Sequence, residues 1–353
     1  MTAFQEAENL RQADFKKTSG YFSPDARADG QLFTSIGSPR GALMRPWLIP
    51  LACAEENLFE GIRGDTLSYF REKAISWHDK LPGERPSNHL RDSQICCVNF
   101  LAPFAHNPKA LAELFVPLFP SLRRLLPMED DRFVAFEWIG LENYLCEPLY
   151  GRPRRSRGEY FTSADAAVRF HVSDGDVEIV LVDWKYTEAC NGLPKHTSKN
   201  GTDRLSTYRP FYDAPECPLD KTILRRFDDL FYDPFDQLMR LQLLAREIER
   251  ARELGASAVR LLHVAPAANA DAERVTSPAL RELGTSACEV WQRLVRPPDR
   301  FLAVTIERWY NSLPVEHLPE LEDWWSYLVR RYSWLCLGGA GRRSELGPGL
   351  GDS

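Results

Sequence analysis

Two aspartates and a lysine are the residues of this chain best suited to chemistry, because they lie on segments with the composition of buried strands. Asp183 and Lys185 end the run 177–186, which is continuously apolar from Ile179 to Val182. Asp165 lies early in the preceding run, residues 162–170. A charged side chain is costly on a buried strand unless it is paired or binds a metal ion. The three residues therefore suggest a metal-ion site.

The connection between the two runs decides whether the three side chains meet. Residues 173–176, Ser-Asp-Gly-Asp, predict a β-hairpin. Side chains alternate along a strand, so Asp183 and Lys185 share one face. Asp165 joins them if the connection has an odd number of residues, as in a bulged three-residue turn with Gly175 in the left-handed conformation. A two-residue Asp-Gly turn would place Asp165 on the other face, and the sequence permits both.

Two carboxylates and a lysine that converge on one point suit the hydrolysis of a phosphodiester. Carboxylates bind Mg²⁺, which polarises a phosphate and lowers the pKa of bound water. Lys185 would position the attacking water or stabilise charge on phosphorus. The alternative is an exposed ion pair between Asp183 and Lys185 worth ~0–1 kcal/mol. The apolar run before them favours the metal site, and we expect Asp183→Ala to abolish cleavage without disturbing the fold.

The surrounding elements predict a mixed α/β core. Strands are expected at 132–140, in the hairpin, at 259–264 and at 301–306. Helices are expected at 51–77 with a break near Gly64, and at 89–101, 108–116, 122–126, 234–254, 278–294 and 320–332. Residues 1–45 are expected to be an irregular arm and 190–222 a long loop. The interpretation is an N-terminal extension (1–85), a core (86–310), a C-terminal helix (311–337) and a disordered tail (338–353).

Composition narrows the class of protein. Hydrophobic residues make up 44% and charged residues 27% of the chain, as is usual for a globular protein. We expect no membrane span and no signal peptide. The eight cysteines lack metal-ligand spacing, and Cys96 and Cys97 are adjacent. Free thiols fit a reducing compartment, so we expect a cytoplasmic protein.

The net charge of the chain and its local basic residues bear on whether the protein binds nucleic acid. The net charge of −6 counts against a small dedicated DNA-binding domain, but not against a nuclease, whose metal site is itself acidic. Arginines in a loop interrupted by Pro153 suit phosphate contacts, although a solvated surface loop is an equal alternative. They are Arg152, Arg154, Arg155 and Arg157.

Asp165 followed by Asp183-Trp184-Lys185 resembles the signature of the PD-(D/E)XK nucleases. The flanking sequences at residues 88–94, 136–140, 162–165 and 184–188 are similar to those of a group of bacterial restriction endonucleases in that superfamily. The resemblance implies a restriction-endonuclease-like core, a mixed β-sheet flanked by helices, with helical N- and C-terminal extensions. It further implies Mg²⁺-dependent cleavage of DNA, with Mn²⁺ as a substitute. Asp165 and Asp183 would bind the metal, and Lys185 would be the catalytic lysine.

The chain departs from the family pattern in three places. Ala164 stands where the family has proline. The helix before the strands offers only Asp92 as an acid, so Glu137 on the first strand is either a third catalytic acid or structural. Some branches carry a substrate-binding glutamine on the helix after the Asp-x-Lys strand, and both Gln237 and Gln242 fit that place.

Two rival functions remain. One is an inactive module of the same fold that binds nucleic acid or another partner, and the other is a nuclease acting on RNA. Retention of both aspartates and the lysine argues against the first. If the substrate is duplex DNA, a homodimer is the natural way to cut both strands.

Overall fold

The computed structural model describes residues 1–33, 39–79, 84–149, 151–173, 175–197, 201 and 203–339. The strands within these ranges are β1 (Gly30–Phe33), β2 (Pro39–Arg45), β3 (Arg124–Leu126), β4 (Val134–Trp138), β5 (Ala164–His171), β6 (Val177–Trp184), β7 (Ala256–Ala265) and β8 (Phe301–Thr305). The helices are α1 (Ala3–Thr18), α2 (Glu60–Glu72), α3 (Ser93–Leu101), α4 (Pro108–Phe115), α5 (Arg204–Asp213), α6 (Phe235–Ala251), α7 (Ala287–Leu294), α8 (Ile306–Tyr310) and α9 (Glu322–Arg331).

Six of the strands form one mixed sheet in the order β3-β5-β6-β7-β8, with β4 also paired to β5. Strands β3, β4 and β6 run antiparallel to β5, whereas β6, β7 and β8 are mutually parallel. Strands β1 and β2 form a separate two-stranded ribbon. The mixed sheet flanked by helices confirms the predicted α/β class and its restriction-endonuclease-like core.

Strand β6 shows how the sheet separates two hydrophobic cores. Val180, Val182 and Trp184 belong to the core that includes side chains of α3, α4, α8 and α9. Ile179 and Leu181 belong to the other core, with side chains of α6 and α7. Each such side chain, once fully buried, contributes about 1.5–3 kcal/mol. Burial on both faces explains why β6 is continuously apolar.

The prediction of an irregular arm over residues 1–45 was wrong, because α1 occupies 16 of these residues. Thr2 and Gln5 form a capping box at its start. The side of α1 that packs inward is largely polar: Glu8, Gln12 and Lys16 are buried there, with Phe4 and Phe15 as its apolar contacts. Spacing of four residues puts them on one helical face, and a helix that buries charged and amide groups leaves no apolar stripe in the sequence.

Five further expectations differ from the structure. Residues 124–126 form a strand, not a helix, since their backbone pairs with 169–171. The expected loop 190–222 contains α5, whose N-cap is Asp203. The expected helix 278–294 is divided by Gly284, which is extended. Helix α3 begins only at Ser93, because Asp92 caps it by accepting a hydrogen bond from the N–H of Ile95. Gly64 does not interrupt α2.

The strands β4, β7 and β8 and the helices α4, α6 and α9 lie where the sequence predicts them. One hydrophobic core contains side chains from Phe4 to Leu335, so it crosses the boundaries drawn at 85/86 and 310/311, and that division stays an interpretation. The expected disordered tail lies outside the described residues from 340 onward. Among the helices of the described ranges, none has the length and apolar composition that a membrane crossing requires.

Candidate functional site

The hairpin connection has an odd number of residues, so Asp165 comes opposite Asp183. His171 pairs with Val177, which leaves the five residues 172–176 between them, and Ala166 pairs with Val182. Gly175 has a φ of +107°, a conformation that favours glycine. Asp174 lies outside the described residues. Of the two arrangements that the sequence permits, the structure therefore has the one that brings the aspartates together.

The site forms a row across four adjacent strands. The pairs Phe136–Ala166 and Trp138–Ala164 place Glu137 on β4 opposite Asp165 on β5. On the far side, Asp183 on β6 is in register with His263 on β7. Neighbouring strands thus bring the carboxylates of Glu137, Asp165 and Asp183, called the carboxylate row below, to one end of the sheet. The imidazole of His263 lies beside them. Lys185 follows at the end of β6, with its own N–H donating to the carbonyl of Val264 at 2.8 Å.

Asp183 is fully buried and accepts hydrogen bonds at both oxygens. Its Oδ1 lies 2.5 Å from the Lys185 Nζ and accepts from the Gln237 Nε2 at 3.0 Å. Its Oδ2 lies 2.7 Å from the His263 Nδ1. Burial alone would raise the pKa of Asp183, but Lys185 and His263 hold that pKa well below its ordinary value. Asp183 is therefore ionised.

Asp165 has a different environment, although it is also part of the row. Its Oδ2 accepts from the N–H of Trp184 at 2.6 Å. Burial raises the pKa of Asp165 to about 8, Lys185 opposes that rise, and Glu137 and Asp183 add to it. Several carboxylates close to a single lysine leave negative charge uncompensated.

Lys185 is 5% exposed and remains a cation. Burial would lower the pKa of Lys185, but Asp183, Asp165 and Glu188 raise it above its ordinary value. The ammonium group is thus fixed between the two aspartates.

Glu137 is held in a conformation that is unusual for a non-glycine residue, with a φ of +51°. Such a backbone costs about 1–3 kcal/mol and persists only where the surroundings impose it. The Gln94 Nε2 and the Ser163 Oγ each donate to the carboxylate at 2.7 Å, and the Arg157 Nε donates to the Glu137 carbonyl at 3.1 Å. His78 bridges the carboxylate to Asp92, with N···O distances of 3.6 and 3.5 Å.

The structure separates the two candidate glutamines. Gln237 lies in the first turn of α6 and donates to Asp183. Gln242 is buried and lines a different cavity together with Arg246, Glu249 and Arg296. Only Gln237 is therefore placed at the carboxylate row.

The four arginines of the 152–157 loop have different surroundings. Arg155 donates to the carbonyls of Ile139 and Gly140 at 2.7 and 2.8 Å. Arg157 donates to both carboxylate oxygens of Glu129 at 2.9 Å. Arg152 stacks over a tyrosine ring, and Arg154 is exposed. Two of the four thus hold the loop to the sheet, and Arg154 is the one most open to a ligand.

A cleft of about 1020 Å³ is lined by chain neighbours of Glu137 and His78, although none of its described lining residues belongs to the row of site residues. Trp138 to Gly140, which directly follow Glu137, line it on one side, and Ser76 and Trp77, which precede His78, line it on another. Its walls carry both charges: Arg71, Lys73, Arg85, Arg154, Arg155 and Arg157, with Glu55, Glu84, Glu129 and Glu159.

Sequence reasoning did not assign His263 or His78 to the site. A signal existed for His263, since it is the polar residue that interrupts the apolar end of β7, as Asp183 interrupts β6. His78 follows Trp77 in a turn, and its approach to Glu137 depends on folding across 59 residues, for which the sequence has no periodic signal.

The donor set fits a hard divalent cation. Asp165, Asp183 and Glu137 supply carboxylate oxygens, which Mg²⁺ prefers. Burial, together with the charges of Glu137 and Asp183, raises the pKa of Asp165, and a bound cation would oppose this rise by favouring the ionised carboxylate. Asp165 and Asp183 are the residues that would hold the ion.

Comparison with known proteins agrees with the fold described above. The family model described as "Restriction Endonuclease associating with ARP" matches residues 10–333, which include every residue of the row. No curated protein and no solved structure matches the chain. The chain belongs to the family of restriction endonucleases associating with ARP.

Proposed function

We propose that the protein is a Mg²⁺-dependent endonuclease of the PD-(D/E)XK type that hydrolyses phosphodiester bonds in DNA. The observation that carries the proposal is the convergence of Asp165, Asp183 and Lys185 at the ends of paired strands. Membership in a restriction endonuclease family supports DNA as the substrate.

Each residue of the site would have its own role in the hydrolysis. Mg²⁺, or Mn²⁺ in its place, would polarise the phosphate and lower the pKa of a water molecule. Asp165 and Asp183 hold the ion. Lys185, fixed as a cation, stabilises negative charge that develops on the phosphate. Gln237 orients the Asp183 carboxylate, and Glu137 is the third acid.

The test is cleavage of supercoiled plasmid with Mg²⁺ or Mn²⁺ by the wild type, Lys185→Ala and Lys109→Ala. Lys109 is exposed on α4 and serves as the matched control. We expect metal-dependent nicking that falls by about 10²–10³-fold in Lys185→Ala, as for loss of one charge-stabilising donor, and is unchanged in Lys109→Ala. Equal nicking by all three proteins would contradict the proposal.

One observation favours a second function, an inactive module that binds DNA or another partner. Both oxygens of Asp183 already accept hydrogen bonds from Lys185, Gln237 and His263, so a metal ion has to displace part of this network. Binding of DNA without cleavage under any divalent cation would support this function. Cleavage of RNA alone would keep the chemistry and change the substrate.

Two features follow from the same proposal. Cutting both strands of a duplex calls for two active sites, so we propose a homodimer on DNA. All eight cysteines are free thiols, which supports a cytoplasmic location.

A further inference from the structure

His263 has one ring nitrogen that the carboxylate row does not use. The residue is 1% exposed. Its Nδ1 lies 2.7 Å from the Asp183 Oδ2, and an ionised carboxylate only accepts, so Nδ1 carries a proton. The Nε2 is buried and makes no hydrogen bond of good geometry with any described residue. Burial would lower the pKa of His263, but Cys288 and Asp183 raise it above its ordinary value, so the Cys288 thiol lies close to the ring. An unpaired buried polar atom is costly, and its position calls for a physical explanation.

Two further residues that can bind a metal ion lie close to the His263 ring. Glu273 ends the 3₁₀ segment Ala270–Glu273, and Cys288 is the second residue of α7. One atom from each of His263, Glu273 and Cys288 lies within 4.8 Å of the others. Cys288 is 8% exposed, so its thiol faces the interior. The three residues come from separate elements, which is why spacing in the sequence did not reveal them.

We propose that His263, Glu273 and Cys288 form a second metal site, distinct from the carboxylate row, that binds a borderline-soft divalent cation, namely zinc. Imidazole, thiolate and carboxylate are the ligand types of zinc, and three protein ligands leave the fourth tetrahedral position to water. A thiolate ligand makes this site suited to zinc, whereas the carboxylate row has only oxygen ligands and suits Mg²⁺.

Asp183 would then act on both sites. A histidine that binds a metal through one nitrogen usually donates its other N–H to a carboxylate, which fixes the ring. Here the Asp183 Oδ2 is that acceptor. Zinc at Nε2 would fix the orientation of the His263 ring, and the ring would in turn fix the orientation of the Asp183 carboxylate in the carboxylate row. Binding would release the Cys288 thiol proton to solvent and join the 3₁₀ segment and α7 to β7.

The test uses the full chain, stripped with a chelator and titrated with Co²⁺ in excess Mg²⁺, which occupies the carboxylate row. A cysteine that coordinates Co²⁺ produces a thiolate-to-cobalt charge-transfer band in the near ultraviolet. We expect one equivalent of Co²⁺ to develop this band and Zn²⁺ to abolish it. The band should be lost in Cys288→Ser and should persist in Cys217→Ser, a thiol outside the cluster.

Two more variants complete the test. Glu273→Gln changes a half-buried residue, so we expect it to fold and to weaken Co²⁺ binding by more than about 10-fold. Asp165→Asn removes the predicted Mg²⁺ ligand and should keep the band, so loss of nuclease activity is distinguishable from loss of this site. Zn²⁺ should raise the Tm of the wild type but not that of Cys288→Ser. Absence of a band in the wild type, or its persistence in Cys288→Ser, would overturn the proposal.

Discussion

At the scale of residues, Asp183 is held more tightly than any role as a metal ligand alone requires. It is fully buried and accepts from Lys185, Gln237 and His263. Its removal would leave a buried ammonium group and an imidazole without their acceptor. The sequence alone suggests that Asp183→Ala keeps the fold, because no core volume is lost, but the contacts indicate otherwise.

We therefore predict that Asp183→Ala lowers the free energy of unfolding by about 3–5 kcal/mol, the usual cost of removing one partner from a buried ion pair. The measurement is urea denaturation of the metal-free protein. Asp176→Ala, an exposed position before β6, is the control and should stay within about 0.5 kcal/mol of the wild type. Equal stability of the two variants would show that the network around Asp183 contributes little.

Asp165→Asn should not destabilise the metal-free fold. Burial, with the charges of Glu137 and Asp183, raises the pKa of Asp165 to about 8, so at neutral pH a neutral amide replaces a largely protonated carboxyl group. We predict that the metal-free variant is at least as stable as the wild type, whereas metal-dependent cleavage is lost. Mg²⁺ should raise the Tm of the wild type and leave that of the variant unchanged. A thermal melt with and without Mg²⁺ measures both, and a variant that Mg²⁺ still stabilises would assign the metal to other ligands.

At the scale of elements, the sequence predicted those that carry a clear apolar pattern or turn signal of their own. The β5–β6 hairpin followed from alternation and its turn signal, and α6 followed from its apolar stripe. Residues 124–126 resembled a helix, because the backbone pairing that makes them a strand comes from β5. The same reason hid His263 and the conformation of Glu137, which depend on contacts between distant segments.

Helix α1 is the clearest case of an element that tertiary contacts define. The Lys16 Nζ donates to the carbonyls of Ala28 and Leu48 at 2.8 and 2.9 Å. Burial lowers the pKa of Lys16, and Asp29 opposes this effect. The side chain therefore joins α1 to the segments before and after the β1–β2 ribbon, and an apolar stripe is not needed at this contact.

We predict that Lys16→Ala lowers the free energy of unfolding by about 2–4 kcal/mol, because the carbonyls of Ala28 and Leu48, the second of them buried, lose a charged donor. Its neighbour Lys17 is exposed, so Lys17→Ala is a matched control and should change stability by less than about 0.5 kcal/mol. The measurement compares the denaturant midpoints of the two variants, with the slope of unfolding free energy against denaturant concentration unchanged. If both substitutions have the same small effect, α1 is not held by this contact.

At the scale of the whole molecule, charge is distributed unevenly between the chain and its cleft. The chain carries a net charge of −6, whereas the cleft described above is lined by six basic and four acidic side chains. Several of them are engaged within the protein: Lys73 pairs with Asp130 at 2.7 Å, and Arg157 pairs with Glu129. Binding of a polyanion would thus depend on the few cations whose donors point to solvent.

The 152–157 loop offers a direct comparison between a cation that is open to solvent and one that is engaged within the protein. Arg154 is exposed, whereas Arg155 donates to the carbonyls of Ile139 and Gly140. We predict that Arg154→Ala weakens DNA binding to the same extent for all sequences and reduces the slope of log K against log salt by about 1, the value for one phosphate contact. Arg155→Ala should instead lower the Tm, because it leaves two carbonyls without a donor. Fluorescence anisotropy with labelled duplexes at several salt concentrations measures the slope, and a thermal melt measures stability. An unchanged slope in Arg154→Ala would exclude this loop from the phosphate-binding surface, and the cleft's other cations would then have to account for binding.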